Sequence, residues 1–153
     1  MFGSLFKVRG EQIEVRLETG IRELLTRVSG ELREILLVND GEIVKRLYPP
    51  AYPDDPKSNE AFDELVKDKL LMQRLDDIDR FEETIDTETM DIELADVWMN
   101  TINQARLVLG TQLDVSEDDQ AIDPEDPEAS GRMIYQVLSY VLEELTRARI
   151  KLL

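Results

Sequence analysis

The chain contains no histidine and no cysteine among its 153 residues. Without imidazole it lacks the usual general base near neutral pH, and without thiols it lacks a sulfur nucleophile and a soft metal ligand. A disulfide is excluded, which fits a reducing cytoplasm. The longest apolar run is far shorter than the ~18 residues that a membrane span requires, and the first residues lack the apolar core of a signal peptide. These absences disfavour most enzyme classes and predict a cytoplasmic protein without a membrane segment.

Basic residues are also scarce. The chain has 18 Lys and Arg residues and 34 Asp and Glu residues, which gives a net charge of −16. This acidic excess disfavours direct binding to nucleic acid, since the phosphates would be repelled. The imbalance lies after residue 50, because residues 1–50 carry eight basic and eight acidic side chains. We therefore expect a partner with a basic surface to be attracted to the later part of the chain. A solvated acidic surface that promotes solubility is the alternative.

The N-terminal residues predict a short β-hairpin over residues 1–18. Apolar and polar residues alternate along Ile13–Leu17, which is the period of a half-buried strand. A second short alternating run precedes Gly10, so a turn is expected at that residue. Two strands alone are marginal in water, and a helical body or a second chain must complete them.

The rest of the chain predicts helices, because apolar residues recur every three or four positions. The predicted segments are a helix at 19–38, an ordered Pro-rich segment at 46–57, central helices at 58–113, an acidic loop at 114–126 and a C-terminal helix at 127–151. An inner face is predicted from Phe62 to Phe81, with two shorter helices as an alternative because of the acidic run at 76–79. Asp91 is the expected cap of a central helix around Trp98. The fold class is one mainly α domain, a bundle-like arrangement of four to five helices with a short N-terminal β-hairpin.

The densest run of carboxylates lies near the end of the first central helix. Asp79, Glu82 and Glu83 share one face at helical spacing. Such groups can bind Mg²⁺ or Ca²⁺, or act as an acid and base pair if one is buried. A helix end that faces water is the alternative, and we predict no catalytic residue, no metal ligand and no cofactor.

The Pro-rich segment is the predicted binding element. Four prolines between residues 49 and 56 exclude both a helix and a central strand. Its aromatic side chains are either core residues or anchors for a partner. The candidate binding residues of this segment are Tyr48, Pro49, Pro50, Tyr52, Asp54 and Asp55.

Three further candidate binding residues, Trp98, Asn103 and Arg106, lie on the central helix. An arginine on an otherwise apolar helix needs an acidic partner. We therefore expect Arg106 to bind Asp54 or Asp55 and so to clamp the Pro-rich segment onto the helix, with Asn103 bonding its backbone.

These residues carry a family resemblance. The blocks Arg46–Asp55 and Arg106–Leu113, with Trp98 and Asn103 between them, resemble the signature blocks of the bacterial family that includes the actinomycete oxidative stress regulator. This family was long catalogued as a domain of unknown function. The resemblance covers most of the chain in order.

The resemblance implies a non-enzymatic cytoplasmic regulator that binds a sigma factor, with a link to a proteolysis adaptor. In the namesake regulator a cysteine pair senses oxidation, and this chain has none, so a disulfide switch is not carried over. The predicted function is therefore regulation through a protein partner, in a stress response and with no direct contact to nucleic acid or membrane. The alternatives are a carboxylate-based metal-dependent enzyme and a structural subunit that self-associates as a homo-oligomer through the hairpin edge.

Overall fold

The computed structural model describes residues 4–38, 55–113 and 129–152. Within these residues the protein is mainly helical with a short N-terminal hairpin, as predicted. The elements are β1 (Phe6–Arg9), β2 (Gln12–Val15), α1 (Thr19–Val38), α2 (Pro56–Glu83), β3 (Thr89–Met90), α3 (Ile92–Leu113) and α4 (Ala129–Ile150). The predicted acidic loop, and the Pro-rich segment as far as residue 54, lie outside the described residues.

The hairpin turns where the sequence predicts. β1 and β2 are antiparallel, and the last pair before the turn joins Arg9 to Gln12. Gly10 has a φ of 65°, in the left-handed region that a residue without a Cβ enters at little cost. Phe6 and Val15 lie opposite each other on the buried face of the hairpin.

A third strand, which the sequence pattern does not reveal, completes the sheet in the order β1-β2-β3. Ile13 pairs with Met90 in antiparallel register, and the Val15 amide donates to the Glu88 carbonyl at 2.8 Å. A β-strand of two residues has no readable alternation. Its pairing anchors the N-terminal hairpin to the connection between α2 and α3.

The side chain of Arg22 fastens the same connection to the first turn of α1. Its Nη1 donates to the carbonyls of Ile85 at 2.5 Å and Thr87 at 3.0 Å, while its Nε donates to the carbonyl of Leu17 at 3.1 Å. One half-buried guanidinium therefore joins the end of the hairpin, α1 and the segment that leads into β3.

Helix α3 is central, as predicted, because it packs against α1, α2 and α4. Its start is capped as expected, with the Leu94 amide donating to Asp91 Oδ1 at 2.8 Å. The C-terminal helix α4 packs against α3, burying Leu138, Val141 and Leu145 completely.

Helix α2 is a single helix rather than two shorter ones, and it begins at Pro56, two residues before the predicted boundary. Pro is well suited to a first helical position, where its missing N–H leaves no bond unmade. The predicted inner face is wrong in part, since Phe62 is 38% exposed and Lys69 and Gln73 face solvent. Among the described side chains of α2, the fully buried ones are Ile78 and Phe81, in the last two turns.

Candidate functional site

The structure describes four of the predicted binding residues. Asp55 is exposed and directly precedes α2, whereas Trp98, Asn103 and Arg106 lie on α3. The other five, Tyr48, Pro49, Pro50, Tyr52 and Asp54, lie outside the described residues, so their binding role stays a prediction.

Trp98 lies in the core and has no exposed surface. Its indole Nε1 donates to Thr84 Oγ1 at 2.9 Å, and its ring meets Phe81 edge-on with centroids 4.7 Å apart. These contacts join α3 to the end of α2. The contacts of Trp98 in this structure are therefore packing contacts.

Asn103 and Arg106 meet on α3, and Tyr135 of α4 joins them. Arg106 Nη2 donates to Asn103 Oδ1 at 3.2 Å, and Nη1 donates to the Tyr135 hydroxyl at 3.4 Å. The guanidinium also lies 5.9 Å from the centroid of the Tyr135 ring, within the range of a cation–π contact. Arg106 thus links α3 to α4, while the predicted clamp on the Pro-rich segment stays a prediction.

The carboxylates considered as a metal or acid–base site contact a cation of the protein itself. Arg33 of α1 forms ion pairs with Asp79, at 2.6 Å from Oδ1, and with Glu82. The hydrogen bond to Glu82 is the main cause of a raised Arg33 pKa. Within the described ranges, no three acidic side chains come together in a group that could hold a metal ion. Asp79 and Glu82 therefore join α1 to α2.

A half-buried carboxylate, Asp77, lies two residues before Asp79 on α2. Desolvation raises the pKa of Asp77 above its ordinary value, and Arg74, 3.6 Å away, only partly opposes this. Asp77 adjoins the buried side chains of Thr101 and Gln104 of α3. The ionised form of Asp77 is therefore disfavoured at this position between α2 and α3.

The clearest recess in the described residues is an apolar groove of about 570 Å³ between the hairpin, the start of α1 and α4. Its apolar wall is formed by Leu5, Ile21, Val137 and Val141. This volume lies within the range of roughly 300–1,000 Å³ found for ligand-binding clefts. The groove is thus large enough to receive one or two apolar side chains of a partner.

The groove is bordered by two large side chains that face solvent. Met133 is 57% exposed and Tyr140 is 45% exposed, seven residues apart on α4. The Tyr140 hydroxyl donates to Glu144 at 3.3 Å, and desolvation together with the negative charge of Glu144 raises the tyrosine pKa. Sequence reasoning missed this site. The available signal was that Met133 and Tyr140 stand outside the buried stripe of their helix.

Among the helices of the described residues, none combines the length and the apolar character that crossing a membrane would require.

The fold and the groove define a small, mainly helical domain with a three-stranded sheet at one end and an apolar recess beside it. The chain belongs to the family described as "Domain of unknown function (DUF2017)", whose sequence model matches residues 3–149. No curated protein and no solved structure gives a significant match.

Proposed function

We propose that this protein is a non-enzymatic cytoplasmic regulator that binds a partner protein in the groove between the hairpin and α4. The observation that carries the proposal is a groove of about 570 Å³ with an apolar wall and large exposed side chains beside it. Exposed apolar surface next to a cleft marks interaction sites in soluble proteins. Met133 is well suited to such a contact, because its flexible thioether adapts to different partner shapes.

The occupant that fits this groove is an amphipathic helix with aliphatic anchors and a basic polar face. Helices bind in apolar grooves through side chains spaced three and four residues apart. The net charge of −16 attracts basic partners and speeds their encounter. Glu18 lies in the groove lining and Glu144 accepts from Tyr140, so carboxylates are available to basic flanking residues. Arg16 also lines the groove, and its charge is paired with Glu14.

The finer assignment rests on the resemblance to the family of the actinomycete oxidative stress regulator. It supports a partner from transcription, such as a sigma factor, or a proteolysis adaptor, in a stress response. Because the chain has no cysteine, the proposed regulation works through binding alone and not through a disulfide. The acidic excess supports indirect action on genes, since the protein itself would be repelled by phosphate.

Site-specific photo-cross-linking tests the proposal. A photoreactive benzoylphenylalanine replaces Ile21, a half-buried residue of the groove, and cross-linking is carried out in the native cell. Met72 of α2 is the matched control position, because it is 64% exposed and does not line the groove. We expect a basic transcription or proteolysis protein to be cross-linked at Ile21 and not at Met72.

Reconstitution with purified proteins completes this test. The partner identified by cross-linking should bind the wild-type chain and lose at least tenfold in affinity with Val137→Glu, which places a charge in the apolar wall. Circular dichroism confirms that the variant is folded, and Ile21→Gln provides a milder second variant. Equal cross-linking at both positions, or unchanged affinity of both folded variants, would refute binding in the groove.

A further inference from the structure

Two polar side chains of α3 are buried without a partner where this helix faces α2. Thr101 is 3% exposed and Gln104 is 8% exposed. Among the described residues, neither Thr101 Oγ1 nor Gln104 Oε1 has a hydrogen-bond partner. A buried polar atom of this kind has lost its hydration without compensation. The interface between α2 and α3 therefore contains acceptors that a suitably placed donor would stabilise.

Asp77 of α2 borders the same small space as these two side chains. The other residues of its lining are Leu32, Leu36, Arg74 and Ile78. This interhelical space is too small to admit a water molecule. Solvent therefore cannot bridge the polar groups that border it, and they are paired by one another or not at all.

The charged groups that act on Asp77 belong to its own helix, as far as the described residues show. Arg74, 3.6 Å away, and Arg80 favour the carboxylate, whereas Asp76 opposes it. Helix α1 contributes only leucines to the space, and α3 contributes two uncharged side chains. Desolvation outweighs both arginines and raises the pKa of Asp77. This carboxylate therefore takes up a proton more readily than an exposed aspartate does.

Protonation changes what Asp77 can offer to the unpaired groups of α3. An ionised carboxylate is an acceptor only, so it cannot pair with the carbonyl oxygen of Gln104. A neutral carboxyl group carries one O–H and can donate to that oxygen. One proton thus removes the desolvation penalty of Asp77 and supplies the buried Gln104 oxygen with a donor.

We propose that Asp77 and Gln104 form a proton-operated latch between α2 and α3, which closes when the neutral Asp77 carboxyl group donates a hydrogen bond to Gln104 Oε1. The latch is open at neutral pH. It closes as the pH falls through the raised pKa of Asp77, above the value of about 4 at which an exposed aspartate titrates. Mild acid therefore tightens this helix contact. The proposal does not depend on the groove or on its partner.

The pKa of Asp77, measured by NMR from its carboxyl carbon, tests the latch. Gln104→Met removes the acceptor and keeps a long, flexible side chain. If Gln104 only fills space, the apolar methionine leaves this pKa unchanged or raises it through further desolvation. With the latch, the pKa should fall by roughly 0.5–1 pH unit, since a neutral hydrogen bond changes the proton affinity by about that much. Gln12→Met is the matched control, because Gln12 is exposed on β2 and should leave the pKa of Asp77 unchanged.

A second measurement needs only the wild-type chain. The side-chain carbonyl carbon of Gln104 should change its chemical shift with the same midpoint as the Asp77 carboxyl carbon, because the two groups share one hydrogen bond. A Gln104 signal that stays constant while Asp77 titrates would overturn the latch. An unchanged or higher Asp77 pKa in Gln104→Met, shown to be folded by circular dichroism, would overturn it as well. A fall in this pKa with Thr101→Val but not with Gln104→Met would show that Gln104 is not the acceptor.

Discussion

The hydrogen bond from Trp98 to Thr84 gives a quantitative test of how the core is held. Thr84 Oγ1 accepts from the Trp98 indole at 2.9 Å and donates to the Arg80 carbonyl at 2.8 Å. The substitution Thr84→Val keeps the shape of the side chain and removes these bonds, together with a longer one from the hydroxyl to the Phe81 carbonyl at 3.2 Å. The Arg80 carbonyl still accepts from the Thr84 backbone amide at 3.1 Å. The main effect is therefore a buried indole N–H without an acceptor.

The expected cost of Thr84→Val is about 1–3 kcal/mol, because a buried donor left unpaired loses its hydration without compensation. Thr84→Ser is the matched control. It retains the hydroxyl and loses one methyl group, which is worth ~0.8 kcal/mol when fully buried. Thr84 is only half-buried, so the serine variant should stay closer to the wild type.

Urea unfolding measures these differences. Trp98 is the single tryptophan, so its fluorescence reports the unfolding of this region, and circular dichroism reports the helices. With a urea dependence of about 2 kcal/mol per molar, the midpoint for Thr84→Val should fall by roughly 0.5–1.5 M. A double-mutant cycle with Trp98→Phe, followed by circular dichroism, isolates the bond itself.

In the Trp98→Phe background the donor is absent, so Thr84→Val should cost less than about half of its effect in the wild type. Two results would contradict the reasoning. One is a wild-type cost below ~0.5 kcal/mol, which is within the usual range for a surface substitution. The other is an equal cost in both backgrounds.

Three further predictions concern the supports of the same core. Asp91→Ala should lower the unfolding free energy by ~1 kcal/mol because it removes the cap of α3, and Asp91→Asn, which can still cap, should restore most of it in the same urea titration. Arg22→Ala should lower the free energy of unfolding by about 2 kcal/mol or more, because it removes charged hydrogen bonds to three carbonyls. Arg22→Lys should be destabilised as well, since an ammonium group cannot reach all three carbonyls; a lysine variant as stable as the wild type would contradict the geometry. Asp77→Asn should raise the urea midpoint at neutral pH, because the raised pKa of Asp77 means that its ionised form disfavours the folded state. That penalty is present above the raised pKa and is relieved as the pH falls through it, so the difference from wild type should shrink toward about pH 4; a constant difference would refute the electrostatic cause.

The long helices were predictable because their signals are strong and local. In α3 the apolar residues around Trp98 recur at helical spacing over the whole element, and Asp91 marks its start. The hairpin was predictable from its alternation and from the glycine at its turn. β3 was not, since a strand of two residues exists only through its pairing with Ile13 and Glu14. The inner face of α2 was misassigned at Phe62 because periodicity does not say how far along a helix the packing extends.

The groove was beyond sequence reasoning for a different reason. Its walls come from the hairpin and from α4, so Leu5 and Val137 meet only in the folded chain. The partner of Arg106 was missed in the same way, because Tyr135 lies on another helix. Asn103 and Arg106 are three residues apart and share a helix face, but both were predicted to contact the Pro-rich segment, so their hydrogen bond to each other was not predicted.

The pairing of β2 with β3 delays the completion of the sheet during protein synthesis. Ile13 is paired with Met90, which is added 77 residues later. At a translation rate of roughly 5–20 residues per second, the ribosome needs about 4–15 s to bridge that interval. During this time the hydrogen-bonding edge of β2 lacks its native neighbour. The nascent hairpin therefore exposes an unpaired strand edge, which is covered only when the residues around Met90 have emerged from the ribosome.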